Sequence, residues 1–456
     1  MSIDLKMTEL ANAIRRKANK TEKLTLDTMI ATVQNLTIGS DDTTMEDALV
    51  TGGNWGSTTY TNSNITSIEP YAFYGKTLPG TVSFPRCTIV KSSAFGNPKF
   101  YSIYLPECIT IEECAFSNAT AGGGNIQTIS IPKCITIGSS AFRNCYGLKN
   151  IDLPACETIN HDAFASCSCI STFSAPKVRT IGNGAFIRAG AANDNTDGGY
   201  YFPMCETIGD GVFNECKAYI VSLPVCCSIG GSAFSSMRNL KEIYLPKASV
   251  FSGGYHFINC ASLTSVDLPV CTSITSGMFR SCIKLVSVNI PMCSWIAYGA
   301  FESCTSLLSA EFPICTLLSG SYCFSQCTSL KTVKLPKCSI IAGYAFIGCK
   351  ALETVSIPEC KQLQRGAFYS CTSLQSLELP ATSIRSAAFT GATMFSILTL
   401  TASTTCYLYN SAVFSGTLIT NTTGSIFVPA SLVEAYQKST NWTYFKNRIF
   451  PIEEAT

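Results

Sequence analysis

The chain has 456 residues, of which 46% are hydrophobic and only 14% charged, with a formal net charge of +2. Near-neutral charge without a basic stripe or acidic tail argues against nucleic acid and against a strongly charged partner. No run of about 18 apolar residues occurs, so no membrane span is expected.

In chain order, residues 1–38 predict a helical hairpin. Leu10, Ala11, Ile14 and Ala18 share one face at helical spacing, and Asn19-Lys20-Thr21 breaks it. Thr25 can cap a second helix, Leu26 to Leu36, with Met29, Ile30, Val33 and Leu36 on one side. Arg15-Arg16-Lys17 reads as a solvated face. Residues 39–64 are rich in Gly, Thr and Asn and read as a linker, with one short helix at Met45 to Val50 and Trp55 pinning the linker onto the first repeat turn.

From about residue 65 to 416 a period of about 22 residues takes over. Leu330-Lys-Thr-Val333-Lys-Leu335-Pro336-Lys-Cys338 returns as Leu352-Glu-Thr-Val355-Ser-Ile357-Pro358-Glu-Cys360. The prolines of this beat run from Pro85 to Pro380, and a Phe usually follows ten residues later. Such a period predicts an α/β solenoid whose units bury their apolar faces only against neighbours. About fifteen turns at about 4.8 Å give a rod or shallow arc near 70 Å long. Each Val-x-Leu-Pro segment predicts a short parallel strand that Pro ends, because Pro cannot continue the ladder. The Phe-containing stretch forms the opposite wall as turns and short helical pieces. Two swollen units, 119–125 and 189–199, read as extruded loops. The beat stops near Thr420, and residues 417–456 read as the atypical cap that an open solenoid end requires. Within it the sequence predicts a strand at Ser425 to Pro429, a helix at Ala430 to Ser439 and an aromatic closing piece at Asn441 to Phe450.

The 25 cysteines fall mostly in two columns. One lies two residues after the repeat proline, the other three after the repeat Phe. Val178, Ala248 and Thr382 replace Cys in the first, and Ala119, Ala189, Met237 and Ala392 in the second. Interchange with small or apolar residues predicts buried thiols. Disulfides between neighbouring turns are the alternative, disfavoured by parallel Cβ vectors.

No catalytic constellation is apparent. The two histidines, His161 and His256, lie about four turns apart, the first reading as an exposed turn and the second as packed beside Phe257. No Cys-x-x-Cys, phosphate loop or nucleophile elbow occurs. Neither a metal nor a cofactor is expected, and the chain reads as a non-enzyme. The surface best placed for recognition is the outward side of the strands. Alternation puts Tyr104, Asp152, Tyr201, Tyr244, Asp267, Glu311 and Lys334 on it, together with Ser83, Ser130, Ser174, Ser222, Asn289, Ser356 and Glu378. The seven named first are the candidate ligand-binding residues, since exposed tyrosines suit binding hot spots.

Two resemblances add expectations. Leu285-Val-Ser-Val288-Asn-Ile290-Pro-Met-Cys293 and Ile340-Ile-Ala-Gly-Tyr-Ala-Phe346-Ile-Gly-Cys349 resemble the BspA-like leucine-rich repeat family over residues 65–416. That resemblance implies a right-handed leucine-rich-repeat coil and a bacterial surface or secreted adhesin without catalytic residues. The start of the chain lacks the apolar core of an export signal. Glu9 to Met29, and Ile426 to Tyr436 with Asn441-Trp442, resemble terminal segments of Firmicute phage and prophage tail-associated proteins. This second resemblance implies a virion tail protein assembled in the bacterial cytoplasm. Residues 1–38 would bind other tail proteins, and the solenoid would contact a host cell-surface protein or glycan. The phage reading leads, and the bacterial surface or secreted adhesin is the alternative.

Overall fold

The computed structural model describes residues 59–78, 80–118, 126–190, 198–420 and 423–452. The expected N-terminal hairpin, most of the linker with Trp55, the 119–125 swelling and most of the 189–199 swelling lie outside them. The chain divides into two compact units, Met1–Thr196 with Tyr201–Pro203, and Asp197–Tyr200 with Met204–Thr456.

In the first unit, Thr59–Thr61, Thr81–Ser83, Ser102–Tyr104, Thr128–Ser130 and Asn150–Asp152 form one parallel ladder. A second, shorter ladder runs beside it through Ser67–Ile68, Ile89–Val90, Thr110–Ile111, Thr136–Ile137, Thr158–Ile159 and Thr180–Ile181. The sequence reading did not anticipate this second ladder. Its recurrent Thr-Ile pairs are β-branched and suit a half-buried pleated surface. In both ladders the apolar member faces in, as with Val82, Ile103 and Ile129 or Val90, Ile111 and Ile137. Register survives the first swelling, since Ile103 pairs with Ile129 as Val82 pairs with Ile103.

The second unit repeats the plan. Ile220–Ser222 pairs with Glu242–Tyr244, and Ser265–Asp267 with Ser287–Asn289. Ser309–Glu311, Thr332–Lys334 and Thr354–Ser356 continue the same wall. It ends in Ser376–Leu379, Ile397–Leu400, Ser425–Val428 and Ile449–Pro451, all parallel. The short ladder reaches Tyr407–Leu408.

About 17 turns are present among the described residues, against the about fifteen read from the sequence. The ladder already includes Thr59–Thr61, and it continues through Ser425–Val428 and Ile449–Pro451 after the Phe–Pro beat has faded. The cap therefore extends the sheet as well as covering it. Its helical part is the 3₁₀ turn Ala430–Leu432 followed by the α-helix Val433–Lys438, and the aromatic piece is a 3₁₀ segment, Trp442–Arg448.

The Phe wall is made of turns, where short helical pieces had been expected beside them. The residues two before and two after the Phe adopt left-handed φ: Ser93 and Asn97 flank Phe95, Ser140 and Asn144 flank Phe142, and Tyr322 and Gln326 flank Phe324. A left-handed residue every four positions prevents a helix from propagating. The N–H groups of this wall reach the next turn instead, as Ser93 to the Glu113 carbonyl at 3.0 Å and Phe95 to that of Ala115 at 2.7 Å.

Inside the first unit Phe73, Phe95, Phe116, Phe142, Phe164 and Phe186 stack nearly parallel with centroids 4.9–5.3 Å apart. Inside the second, a like stack runs from Phe213 through Phe234 and Phe257 to Phe389 and Phe414. Each contact of this kind contributes about 0.5–1.5 kcal/mol beyond area burial.

Candidate recognition surface

The thiols line the interior. All 25 cysteines are free, and all but Cys114, Cys169 and Cys227 are buried. Those after the proline donate to the carbonyl two residues on, as Cys87 to Ile89 at 3.3 Å and Cys338 to Ile340 at 3.2 Å. Those after the Phe, Cys216 excepted, donate to the Phe carbonyl of the preceding turn. Examples are Cys145 to Phe116, Cys282 to Phe257 and Cys371 to Phe346, at 3.0–3.1 Å. Burial pushes Cys87 up to about 11 and Cys134, Cys327 and Cys360 up to about 12, so these thiols stay protonated. They act as small donors in a packed core, and protonated thiols are poor nucleophiles and poor metal ligands. Among the described residues no group of three or more His, Cys, Asp and Glu could hold a metal ion.

The outward column of the long ladder lies in register. In the first unit Ser83 stands beside Tyr104, Tyr104 beside Ser130, and Ser130 beside Asp152. Tyr104 is 47% exposed and Tyr201, further along the same unit, 38%. Asp152 is exposed, whereas Ser83 is buried. In the second unit Tyr244 is 56% exposed beside Ser222. Asn289 donates its amide to the Asp267 carboxylate at 2.8 Å, and Lys334 pairs with Glu311 at 3.0 Å. The column thus presents all seven candidate residues to solvent without gathering them into a pocket. Its tyrosines do not form one aromatic platform, because Ser130, Asp152 and Ser174 intervene between Tyr104 and Tyr201. The ion pair and the amide–carboxylate bond also engage Lys334, Glu311 and Asp267 with their own neighbours.

One exposed feature escaped the sequence reading. Val270, Met292 and Ile314, each following its repeat proline, are exposed on successive turns of the second unit. Trp295 and Leu317 are exposed beside them and pair in register on the short ladder. Reading the post-proline column would have found it, since in the first unit that column holds Arg86, Glu107, Lys133 and Lys177. A second is a row that begins at the exposed Tyr298 and continues through the half-buried Tyr322 and Tyr344. The last two rings stack at 5.3 Å, and the Arg365 guanidinium lies over Tyr344.

His256 is fully buried, and its ring meets Phe251 edge-on at 5.1 Å. Burial lowers its pKa to about 4, against a smaller opposing pull from the Gly230 backbone and the Asp210 carboxylate. Among the described residues neither ring nitrogen has a hydrogen-bond partner. His161 is exposed.

Parallel short strands on a 22-residue register, an inward Leu/Ile/Val column and a buried Phe stack define a leucine-rich-repeat solenoid. The family described as BspA type leucine rich repeat region matches residues 30–122, 66–192, 206–319 and 318–442, and the chain belongs to it. A leucine-rich repeat protein of Bacteroides ovatus is similar in fold, at 22% identity and a TM-score of 0.54, with 76% of this chain and 88% of that one covered. A leucine-rich repeat protein of Eubacterium ventriosum matches at 18% identity, covering 64% and 83%, with a TM-score of 0.39. A leucine rich cell surface protein of Faecalibacterium prausnitzii matches at 19% identity, covering 74% and 91%, with a TM-score of 0.38. No curated protein matches the chain. The phage-tail resemblance of the two ends is not shown by these comparisons. No helix among the described residues is long and apolar enough to cross a membrane.

Proposed function

We propose that this chain is a non-enzymatic binding protein of the bacterial cell surface or its surroundings, an adhesin that holds a protein or glycan along the outward column of its long ladder. The observation that carries this reading is the exposure of Tyr104 and Asp152, in register through Ser130, in one unit and of Tyr244 and Asp267 in the other, on a backbone whose interior is packed. A ladder of exposed side chains at fixed spacing presents an extended surface whose residues can vary without disturbing the core. Membership of the BspA type family supports the location. The phage or prophage tail reading, with residues 1–38 as its attachment module, rests on the two terminal resemblances alone.

The test is labelling of bacterial and epithelial cells with the purified full chain carrying a fluorophore. Native protein should decorate one class of cell, and replacing Tyr104, Tyr201 and Tyr244 together by Ser should reduce the label at least tenfold while the thermal transition stays in place. Equal labelling by the triple variant would remove the column from recognition.

A further inference from the structure

In several places charges on adjacent turns pair with opposite sign: Lys91 with Glu69, Lys133 with Glu107 and Lys337 with Glu359, at 2.6–2.7 Å. Near the end of the second unit two like charges meet instead. Arg365 and Arg385 stand on adjacent turns, both exposed, where the chain leaves the short ladder for the Phe wall. Neither has an ion pair among the described residues. The segments that build this corner over six turns, 294–301, 316–324, 339–346, 361–368, 382–389 and 406–414, contain no Asp or Glu. Their one further cation, Lys361, precedes the strand Gln362–Leu363, whereas the two arginines follow their strands. In the first unit the same segments carry Glu69, Glu112, Glu113, Glu157 and Asp162.

A tyrosine borders the arginine pair on each side. On the turn before, the Tyr344 ring lies across Gly366, where an added Cβ would meet it at 2.5 Å, and the Arg365 guanidinium sits over that ring at 5.9 Å. On the turn after, Tyr409 is 48% exposed. Three steps of about 4.8 Å put about 14 Å between the backbones of the two tyrosines. Between them Gln364 donates its amide to that of Gln362 at 3.3 Å.

This chemistry narrows the occupant. Two guanidinium groups on neighbouring turns repel each other, a cost that an anion between them removes, and each offers a planar fork to an oxyanion such as carboxylate. The N–H groups of Gln364, Arg385 and Tyr409 donate to the preceding turn at 2.9–3.1 Å, so a peptide strand gains no main-chain donor from them. Two cations fall short of what a nucleic-acid strand needs, since its affinity grows with each phosphate neutralised. Rings beside amides that both donate and accept suit a sugar, whose C–H face packs on a ring and whose hydroxyls also donate and accept.

We propose that this corner binds an acidic polysaccharide. One anionic group lies between Arg365 and Arg385, and the neighbouring sugar ring packs against Tyr409. The site lies on the short-ladder side, apart from the outward column, and does not depend on it.

The test is titration of the full chain with polygalacturonate, hyaluronate and chondroitin sulfate. Dextran serves as the neutral polymer, and polyglutamate and oligothymidylate as anions of other backbones. At least one acidic polysaccharide should bind at least tenfold more tightly than these three. Replacing both arginines, Arg365→Gln with Arg385→Gln, should weaken it at least tenfold. Tyr409→Ser, which leaves the charge unchanged, should weaken it at least threefold, with the thermal transition of each variant in place. The variant with Tyr104, Tyr201 and Tyr244 replaced by Ser should bind it as the native chain does. Four results would each overturn the proposal: no acidic polysaccharide bound, equal or tighter binding of polyglutamate or oligothymidylate, undiminished binding by the arginine or the Tyr409 variant, or loss of binding in the triple Ser variant.

Discussion

At the scale of single residues, the cysteines show how a chemical reading and a packing reading separate. Twenty-five thiols in one chain invite thoughts of disulfides or metal, yet their interchange with Ala, Val and Met already pointed to a core. What the sequence could not reveal was the partner. The carbonyl that Cys145 or Cys371 satisfies belongs to the Phe of the preceding turn, a relation visible only once the turns are stacked. Such thiols should be silent in the folded chain. A disulfide-exchange reagent at neutral pH should modify Cys227 and, more slowly, Cys114 and Cys169, and the rest should react only in denaturant. Rapid reaction of many thiols in the native protein would contradict the buried ladders.

His256 carries the second residue-scale prediction. It stands where most turns have Ala, and Phe257 follows it as expected, but it is its own burial that has consequences. Its folded pKa, about 4, lies below the usual 6.5, so the fold prefers the neutral ring. Its contribution is complete above about pH 6.5 and is lost as pH falls toward 4, a change of about 3 kcal/mol across that window. The difference in unfolding free energy between the native chain and His256→Ala should therefore shift in favour of the variant by that order as pH drops from 7 to 4. A pH-independent difference would show that the ring titrates normally.

At the scale of elements, sequence periodicity revealed the long ladder, because Pro stops each strand and apolar residues alternate with polar ones. The short ladder was hidden, since a two-residue strand is below the length at which alternation can be recognised. The left-handed positions were hidden too, because Ser, Asn, Asp, Tyr and Gly all occupy them and no single residue type marks the conformation. The C-terminal cap works by replacing main-chain partners with side chains. The Trp442 indole N–H donates to the Cys406 carbonyl at 2.7 Å, and the Tyr436 hydroxyl accepts from the Cys406 N–H at 2.8 Å. The Asn441 amide donates to the Leu408 carbonyl at 2.8 Å and to that of Tyr409 at 3.0 Å. Phe445 packs edge-on against Phe414 where the next ring of the stack would lie. Trp442→Phe keeps most of the apolar bulk but leaves the Cys406 carbonyl unpaired, which costs about 1–3 kcal/mol. Hydrogen exchange should show faster opening of Ile397–Leu400 and Tyr407–Leu408, with the strands of the first unit unchanged. Unaltered exchange at Tyr407–Leu408 would mean that the indole bond does not hold the last turn.

At the scale of the whole molecule, the repeat explains why fold was easier to read than function. The inward apolar residues of each turn pack against its neighbours, so no interior position is left to advertise chemistry. What varies from turn to turn sits outside, in the outward column, the post-proline column and the exposed tyrosines. The seven candidate residues were legible because strand alternation alone assigns their side. The partners of Asp267, Glu311 and Lys334 were not, because they depend on which turn lies next to which. The apolar strip of Val270, Met292 and Ile314 was legible in principle, as three apolar residues in a row at the position after the repeat proline.

Hydroxyl-radical footprinting of the full chain, free and bound to the cells it labels, tests the recognition claim most directly. The column tyrosines Tyr104, Tyr201 and Tyr244 should lose oxidation on binding, while Tyr407, exposed on the short ladder, keeps it. Protection confined to other surfaces, with the column tyrosines oxidised as in the free protein, would contradict the assignment.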